Sequence, residues 1–451
     1  MGRRILYLPI ETKARELLGK TFLSARAVER GWVVIMGPGP ELRKYMKQHP
    51  PGVFVVASIP EPKTKRLEEM RNSGNHIANL CEESIVYTNG EDYCHRKLSP
   101  NALRSVSRLL VVGLGNAEHV KTYRPDHADK IAITGNPRFD TLLPELRGFY
   151  ELEASRVRNQ YGLFILVNTN FSFANPFDPS EDVVARFMKG GLGGDESKPA
   201  YYRALRDYKI RLMKRLRELL REVANAGIAD RIIVRPHPVE NHDSWRAWAA
   251  AIPNIEVRYE GNANVWMLAA EAVLHSGCTT GVEGLLLDRP VFSLIPEPDS
   301  AFLNQSDAVS QHVESADEFL ERFSELSVTD QTIRGRHSAK REKLGTLVAN
   351  VEQPFAADRI LDQLEELDLP LVSLHEAGVR RKPLVRGLAR TARNWLSGGS
   401  RPMRVTPRQQ QKFPGITRDD LFEPLTFWME TNTLRQAPQL VKLNDRLWAF
   451  H

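Results

Sequence analysis

Cysteine is scarce in this chain of 451 residues, which contains only Cys81, Cys94 and Cys278. Three cysteines cannot form a disulfide framework, and none of them belongs to the paired C-x₂₋₄-C spacing of a structural zinc site. The sequence therefore predicts free thiols, no structural metal site and a reducing environment such as the cytoplasm.

Long hydrophobic runs are also missing. The longest candidates, such as 109–114, have the length of a strand, whereas a membrane-spanning helix needs roughly 18 apolar residues. The apolar run near the start is interrupted at Glu11, too early for the core of a secretory signal. We therefore expect no transmembrane helix and no secretion signal.

Three signatures of phosphate and metal binding are absent. The sequence has no G-x-G-x-x-G and no G-x-x-x-x-G-K-[S/T], which argues against a nicotinamide dehydrogenase and a P-loop enzyme. It also has no Asp-x-Asp that could hold a divalent ion on a diphosphate. If the chain is a transferase, we expect it to work without metal.

Acidic residues are missing from one segment, 380–418, which contains eleven Lys and Arg and no Asp or Glu. The whole chain has a formal net charge of +6, so the remaining residues sum to −5. Within 380–396, apolar residues fall near one helical face, a composition that suits a helix on an anionic membrane surface. A plain surface helix and a disordered basic tail are the alternatives. No RNA-recognition motif, zinc-finger spacing or helix-turn-helix signature favours nucleic acid as the partner.

The order of the predicted elements indicates the fold class. Short β-branched runs alternate with helical stretches along most of the chain, which is typical of parallel sheets wrapped by helices. We predict two Rossmann-like α/β domains, 1–150 and 151–370, followed by a helical and basic tail over 371–451. The predicted strands are 4–10, 32–36, 52–58, 75–80, 109–112 and 130–134 in the first domain, and 163–168, 231–235, 255–259, 272–275 and 290–294 in the second.

A turn with the sequence Arg235-Pro236-His237-Pro238 ends a β-branched strand of the second domain. Ligands of open α/β sheets bind beyond the carboxyl ends of the strands. Arg offers a planar fork for phosphate, and His can donate a hydrogen bond or a proton. The motif predicts a site for an anionic ligand, the alternative being a capped turn with a solvent-facing histidine.

A second turn follows the strand 272–275. Its small residues let a ligand approach the backbone, and the N–H groups at the start of the next helix favour an anion. Glu283 could accept hydrogen bonds from ribose hydroxyls. Helix capping is the alternative explanation. The candidate nucleotide-binding residues of this turn are Ser276, Gly277, Thr279, Thr280, Gly281 and Glu283.

Charged residues also follow strands of the first domain. Glu82 and Glu83 are adjacent carboxylates, and one of them could act as a general base on a sugar hydroxyl. Lys13, Arg15 and Arg138 could bind an anionic acceptor, or they could be tied into internal salt bridges.

Together, the segments 10–30, 82–83, 135–140, 235–238 and 275–290 resemble the bacterial surface carbohydrate biosynthesis proteins. This family is related to the capsule-synthesis β-Kdo transferases and adopts the GT-B architecture, with two Rossmann-like domains facing a cleft. The resemblance implies that His237 and Pro238, with the Ser and Thr of the second turn, hold a cytidine nucleotide, and that Glu82 or Glu83 is the catalytic base. The family pattern has an acidic run ending in Gly where this chain reads Cys81-Glu82-Glu83-Ser84, so both glutamates stay candidates.

The resemblance thus implies a metal-independent glycosyltransferase of bacterial capsule or lipopolysaccharide synthesis. Such an enzyme would transfer a sugar of the Kdo type from a cytidine nucleotide to a glycan or a lipid-linked acceptor. It would use no cofactor beyond the nucleotide-sugar co-substrate and would work in the cytoplasm, with peripheral attachment to the inner face of the membrane through 380–418. A uridine or cytidine diphosphate donor, a non-hydrolysing nucleotide-sugar 2-epimerase, a polyol-phosphate transferase of the teichoic-acid type and a non-catalytic nucleic-acid-binding protein are the competing readings.

Overall fold

The computed structural model describes residues 2–87, 89–189, 197–298, 300–327, 342–351, 353–379 and 412–451. It confirms the predicted α/β class, because strands and helices alternate along the chain and form two largely parallel sheets. The strands are β1 (Arg4–Pro9), β2 (Trp32–Gly37), β3 (Val53–Val56), β4 (His76–Leu80), β5 (Arg108–Val111), β6 (Ile131–Ile133), β7 (Phe164–Asn168), β8 (Arg231–Arg235), β9 (Ile255–Val257), β10 (Ala272–His275), β11 (Val291–Leu294), β12 (Gln311–Val313), β13 (Leu440–Lys442) and β14 (Trp448–Phe450).

Fifteen described α-helices connect these strands in the first 324 residues, and further helical segments follow, among them Ala356–Glu365 and Asp419–Glu430. The first fifteen are α1 (Lys13–Glu29), α2 (Gly39–Met46), α3 (Thr64–Asn72), α4 (Gly90–Lys97), α5 (Pro100–Leu103), α6 (Leu114–Tyr123), α7 (Pro137–Asp140), α8 (Pro144–Tyr161), α9 (Val183–Lys189), α10 (Ser197–Ala226), α11 (His242–Ala249), α12 (Ala263–Ala269), α13 (Thr280–Leu286), α14 (Gln305–Val309) and α15 (Ala316–Ser324).

The first sheet has eight strands in the order β13-β14-β2-β1-β3-β4-β5-β6. Its central strands β1 and β2 pair in parallel and are almost wholly buried, which explains why they are continuous apolar runs rather than alternating patterns. The second sheet has six strands in the order β12-β11-β10-β7-β8-β9, and its neighbouring strands all pair in parallel.

One face of the second sheet carries a large apolar core. Ile165 and Val167 of β7 pack there with the buried stripe of α10, which includes Leu212 and Leu216, and with Trp245 of α11. The predicted helix 201–226 therefore exists because its apolar stripe covers this sheet face. The predicted bounds of the strands 231–235 and 272–275 agree with β8 and β10.

The end of the chain differs from the predicted tail. Its strands β13 and β14 form an antiparallel hairpin, and β14 pairs antiparallel with β2, so these residues extend the first sheet. Trp448, Ala449 and Phe450 are buried there. The sequence analysis missed both short strands, of which β14 has a pairing partner about 400 residues earlier. The segment 380–411, which carries most of the predicted membrane-docking residues, lies outside the described residues.

By compactness the described chain divides into two units. The first comprises residues 1–55, 73–76 and 367–451, and the second comprises 56–72 and 77–366. The predicted domain boundaries at 150 and 370 stay predictions. Across the described ranges, no helix combines the length and the apolar character needed to cross a membrane. All three cysteines are free, as predicted, and the structure shows that they are buried.

Candidate functional site

The second sheet brings both predicted turns to the same place. In its register, Asn168 at the end of β7 is level with His275 at the end of β10 and with Arg235 at the end of β8. The loops that follow these three neighbouring strands therefore lie side by side. We call this set of loops, residues 169–170, 236–240 and 276–280, the carboxyl edge. Ligand sites of parallel sheets are found at such edges.

A buried carboxyl group that sequence analysis missed positions His237. Glu240 is fully buried, and its Oε1 accepts hydrogen bonds from Thr169 Oγ1 at 2.6 Å and from Phe171 N at 2.9 Å. The same oxygen accepts from His237 N at 3.3 Å, while Oε2 accepts from Trp245 Nε1 at 2.8 Å. Burial raises the pKa of Glu240, and these donors oppose the rise. The carboxyl group thus joins the β7 loop to the histidine turn.

The ring of His237 has a defined tautomer when neutral. Its Nδ1 accepts a hydrogen bond from Val239 N at 3.4 Å, which leaves the ring proton on Nε2. The backbone oxygen of His237 contacts His242 Nε2 at 3.2 Å. The half-buried imidazole can therefore present an N–H donor, as a phosphate ligand requires.

Asn170 links the β7 loop to the second turn. Its backbone N donates to Ser276 Oγ at 3.3 Å, and its Nδ2 donates to Gly277 O at 2.6 Å. Gly277 has a φ of 74°, in the left-handed region that favours glycine. The three loops of the carboxyl edge are consequently one hydrogen-bonded unit, with Thr169 facing the histidine turn and Asn170 facing the serine turn.

The backbone of the second turn is less open to anions than the sequence predicts. His275 Nδ1 accepts hydrogen bonds from Gly277 N at 3.1 Å and Cys278 N at 3.4 Å, and its Nε2 contacts Ser310 Oγ at 2.7 Å. Burial lowers the pKa of His275 to about 4, so the ring is neutral at pH 7 and suited to accept these bonds. Gly277 N and Cys278 N are therefore occupied, and Gly281 N, Val282 N and Glu283 N also donate within the turn, to Cys278 O and Thr279 O. A nucleotide-binding role of Ser276, Thr279 and Thr280 stays a prediction.

Arg235 has its guanidinium hydrogen-bonded to the loop after β9. Nη1 donates to Glu260 O at 2.7 Å and Nη2 donates to Gly261 O at 2.6 Å. The group lies 5.5 Å from the ring centre of Tyr259, and burial lowers the pKa of Arg235 to about 10. These two bonds use two of the five N–H donors of the guanidinium, and the phosphate-binding role of Arg235 stays a prediction.

Glu82, Arg138 and Glu283 form a second cluster within the same compact unit. Arg138 is buried, and it donates through Nη1 to Glu82 O at 3.0 Å and through Nη2 to Glu283 Oε1 at 2.5 Å. Asn136 Nδ2 donates to Glu82 Oε2 at 3.0 Å. Glu283, predicted to bind the ribose hydroxyls, and Arg138, predicted to bind the acceptor, are therefore ion-paired with each other. Glu82, at the base of the cluster, is 5% exposed.

The other predicted acceptor residues are also tied into ion pairs. Lys13 Nζ lies 2.6 Å from Asp420 Oδ2, and Arg15 Nη2 lies 3.3 Å from Glu16 Oε1. Glu83 pairs with Lys97 at 2.9 Å, and its side chain is 55% exposed. Lys13, Arg15 and Arg138 thus each form an ion pair within the protein, which was the alternative to binding an anionic acceptor. Of the two glutamates, Glu82 is the one enclosed by polar groups.

Four residues of the carboxyl edge and its surroundings escaped the sequence analysis: Thr169, Asn170, Lys209 and Glu240. The polar pair Thr169-Asn170, directly after the strand 163–168, was an available signal, since it follows a buried strand. Lys209 had no signal, because it belongs to a helix with many other cations. Within the described part of the chain, no group of three or more His, Cys, Asp and Glu residues has the arrangement of a metal site.

Comparison with known proteins identifies the fold. The sequence matches no protein-family model and no curated protein. The UDP-GlcNAc 2-epimerase of Methanocaldococcus jannaschii, solved with UDP-GlcNAc and UDP, is 12% identical, covers 80% of this chain and 99% of its own, and has a TM-score of 0.50. A variant of the wall teichoic acid polymerase TagF is 9% identical, covers 81% and 88%, and also has a TM-score of 0.50. At these identities the likeness shows the fold, an α/β fold of GT-B type with two Rossmann-like sheets.

Proposed function

We propose that this chain is a metal-independent glycosyltransferase of bacterial surface polysaccharide synthesis, acting on capsule or lipopolysaccharide. The observation that carries the proposal is the carboxyl edge, where the loops after β7, β8 and β10 hold His237 and the Ser276–Thr280 turn together. Two turns predicted independently to bind a nucleotide converge on one sheet edge, at the place where α/β folds bind ligands. The GT-B fold supports the same reading.

The donor we propose is a cytidine nucleotide of a Kdo-like sugar, and the acceptor is a glycan or a lipid-linked glycan. The donor rests on the resemblance of His237 with Pro238 and of Ser276, Thr279 and Thr280 to the cytidine-binding motifs of the capsule-synthesis transferases. We also propose that the basic segment 380–418 holds the enzyme at the inner face of the cell membrane, where a lipid-linked acceptor would be located.

The mechanism we propose is direct transfer with a protein base. The acceptor oxygen attacks the anomeric carbon, the bond from that carbon to the phosphate oxygen breaks, and the nucleotide leaves with the electron pair. The acceptor proton passes to Glu82. His237 donates from Nε2 to the phosphate oxygen as negative charge develops there, a contribution that is larger in the transition state than in the ground state.

The competing activities have the fold of the two matched structures. A nucleotide-sugar 2-epimerase would convert its substrate without an acceptor, and a polyol-phosphate transferase of the teichoic-acid type would cleave a cytidine diphosphate.

The first test is a thermal-shift screen of the full chain with CMP, CDP, UDP and GDP. A ligand that binds only the native state stabilises it by about 2.7 kcal/mol at one hundred times its Kd.

We expect CMP to raise the Tm more than the other three nucleotides. Selective stabilisation by CDP would favour the polyol-phosphate transferase, and selective stabilisation by UDP would favour the epimerase or another donor class. A second experiment separates an epimerase from a transferase with another donor. NMR of the nucleotide sugar incubated with the enzyme alone shows a new epimer only if the enzyme is an epimerase. If none of the four nucleotides shifts the Tm, the nucleotide-sugar function is wrong.

A further inference from the structure

Asn136 is a buried amide that contacts the proposed catalytic base. It is 2% exposed and caps α7, where its Oδ1 accepts a hydrogen bond from Arg138 N at 3.0 Å. Its Nδ2 donates to Glu82 Oε2 at 3.0 Å. Because the cap occupies the amide oxygen, the amide nitrogen is the atom that faces the carboxylate. One side chain of the loop after β6 thus fixes one carboxylate oxygen of Glu82.

A second buried asparagine, Asn350, holds the backbone of Asn136. It is 1% exposed, its Oδ1 accepts from Asn136 N at 3.0 Å, and its Nδ2 donates to Asn136 O at 3.0 Å. The amide therefore satisfies both backbone polar groups of Asn136, as a residue of a neighbouring strand would. The cap residue is consequently held in place by a side chain 214 positions further along the chain.

Asp140 connects the two asparagines to the helix Ala356–Glu365. The residue is fully buried, and its Oδ1 accepts from Asn350 Nδ2 at 2.5 Å. The same oxygen accepts from Ala356 N at 2.9 Å, and Oδ2 accepts from Ala357 N at 2.9 Å. The first N–H groups of a helix have no acceptor within the helix, so this carboxyl group both caps the helix and anchors the loop after β6.

A general base must lie within hydrogen-bond reach of the proton that it accepts, and a displacement of about 1 Å can cost roughly a hundredfold in rate. Arg138 Nη1 holds the backbone oxygen of Glu82, and Asn136 holds its carboxylate, in a network whose polar groups are buried. Buried polar networks of this kind favour one arrangement of their members. We infer that Asn136 is a positioning residue, which holds the Glu82 carboxylate where it accepts the acceptor proton. The inference rests on the proposed function.

The test is a double-mutant cycle of the full chain with Asn136→Ala, Glu82→Gln and both substitutions together. Transfer from CMP-Kdo to a lipid-linked oligosaccharide is followed under single-turnover conditions, in which slow variants are still resolved. In the wild-type background, Asn136→Ala should lower the transfer rate by about tenfold to hundredfold, while the KM of the donor stays within about twofold. In the Glu82→Gln background the same substitution should change the rate by less than about twofold, because a residue that acts through the base has no effect once the base is gone.

The control variant is Asn89→Ala. Asn89 is an exposed asparagine that caps α4, where its Oδ1 accepts from Asp92 N at 2.8 Å. Its replacement removes a helix cap, as Asn136→Ala does, but it should leave the transfer rate within about twofold of the wild type. If Asn136→Ala does not fold, Asn136→Asp takes its place in the cycle. That substitution keeps the cap acceptor and sets a second carboxylate against Glu82.

Equal losses from the Asn136 substitution in the two backgrounds would show a structural role and overturn the inference, and so would an unchanged rate in the single variant. The proposed function stands in both cases, because the wild type still transfers the sugar. An unchanged rate in Glu82→Gln would remove the base, and with it the role of Asn136, from a reaction that the wild type still performs. If the wild type transfers no sugar from CMP-Kdo, the proposed function fails together with the inference.

Discussion

A single imidazole has the most direct role in the proposed reaction. In that proposal the N–H of His237 Nε2 donates to the leaving phosphate. Thr169 Oγ1 and Glu240 Oε1 accept hydrogen bonds from the backbone N of His237 and fix its position. Replacing His237 with Ala should lower kcat by two to four orders of magnitude, the usual contribution of a general acid or a transition-state donor. The Tm should stay near that of the wild type, because the half-buried ring is not part of the apolar core.

Transfer kinetics and circular dichroism of His237→Ala test this prediction. His127→Ala is the control, since His127 lies in the surface turn before β6. Full turnover by a folded His237→Ala protein would show that His237 has no catalytic role. A loss of turnover in His127→Ala would show that the assay measures loss of stability and not loss of catalysis.

The two adjacent glutamates give a matched pair of variants. Glu82 is buried against Asn136 and Arg138, whereas Glu83 is exposed and paired with Lys97. Glu82→Gln keeps the shape and removes the base, so kcat should fall by about two to four orders of magnitude. Glu83→Gln removes the charge from an exposed ion pair with Lys97 and should keep kcat within about twofold. Equal turnover in both variants would exclude Glu82 as the base.

At the scale of elements, the N-terminus of α1 depends on a buried ion pair. Glu16 accepts hydrogen bonds from Glu11 N and Thr12 N, and it pairs with Lys20 at 2.8 Å. Burial raises the pKa of Glu16, but the charges of Lys20 and Arg15 outweigh this effect, and the pKa falls to about 2. A carboxyl group whose pKa is lower in the folded chain contributes stability above its unfolded pKa and loses that contribution as the pH falls.

Glu16→Gln should therefore lower the free energy of unfolding by about 3 kcal/mol at pH 7. The difference from the wild type should shrink between about pH 5 and pH 2, where Glu16 becomes protonated. Urea unfolding at a series of pH values measures both effects. Glu118→Gln is the control, because its pair with Lys121 is exposed and is worth at most about 1 kcal/mol. A pH-independent difference would contradict the assigned role of the carboxylate.

The last strand provides a second prediction for an element. Phe450 in β14 is fully buried where the strand pairs with β2. Phe450→Ala should lower the free energy of unfolding by about 3–5 kcal/mol, the usual cost of emptying such a site. Phe422→Ala, in the helix Asp419–Glu430, removes a ring that is 46% exposed and should cost less than about 1 kcal/mol. Urea unfolding of both variants tests whether β14 is an integral strand, and similar costs would show that it is not.

At the scale of the whole molecule, charge is distributed unevenly. The segment 380–418 contributes eleven positive charges, and the remainder has a formal net charge of −5. We predict that the full chain sediments with vesicles containing anionic lipid and not with neutral vesicles. Replacing the nine Lys and Arg of 380–411 with Gln should abolish the difference. Equal sedimentation of the substituted and native chains would contradict docking through this segment.

Most of the sheet elements were predictable because each strand is a local pattern. Buried parallel strands such as β8 and β10 are short β-branched runs with clear ends, so their bounds agree with the prediction. The strands β12, β13 and β14 were missed; all three are short, and β14 pairs with β2, about 400 residues earlier. At the site, the sequence predicted the two turns but not their contacts, such as the hydrogen bonds of Arg235 to two carbonyls.

The sequence by itself determined which segments become strands and helices, that the thiols are free, and that polar turns follow β8 and β10. These properties follow from local periodicity, composition and turn chemistry. The tertiary structure decided what each polar group faces: Arg235 two carbonyls, Arg138 a carboxylate, and Lys209 the carbonyl of Ser276. Hydrogen bonds and ion pairs act over about 3 Å between residues that are tens to hundreds of positions apart, so only the folded chain specifies them.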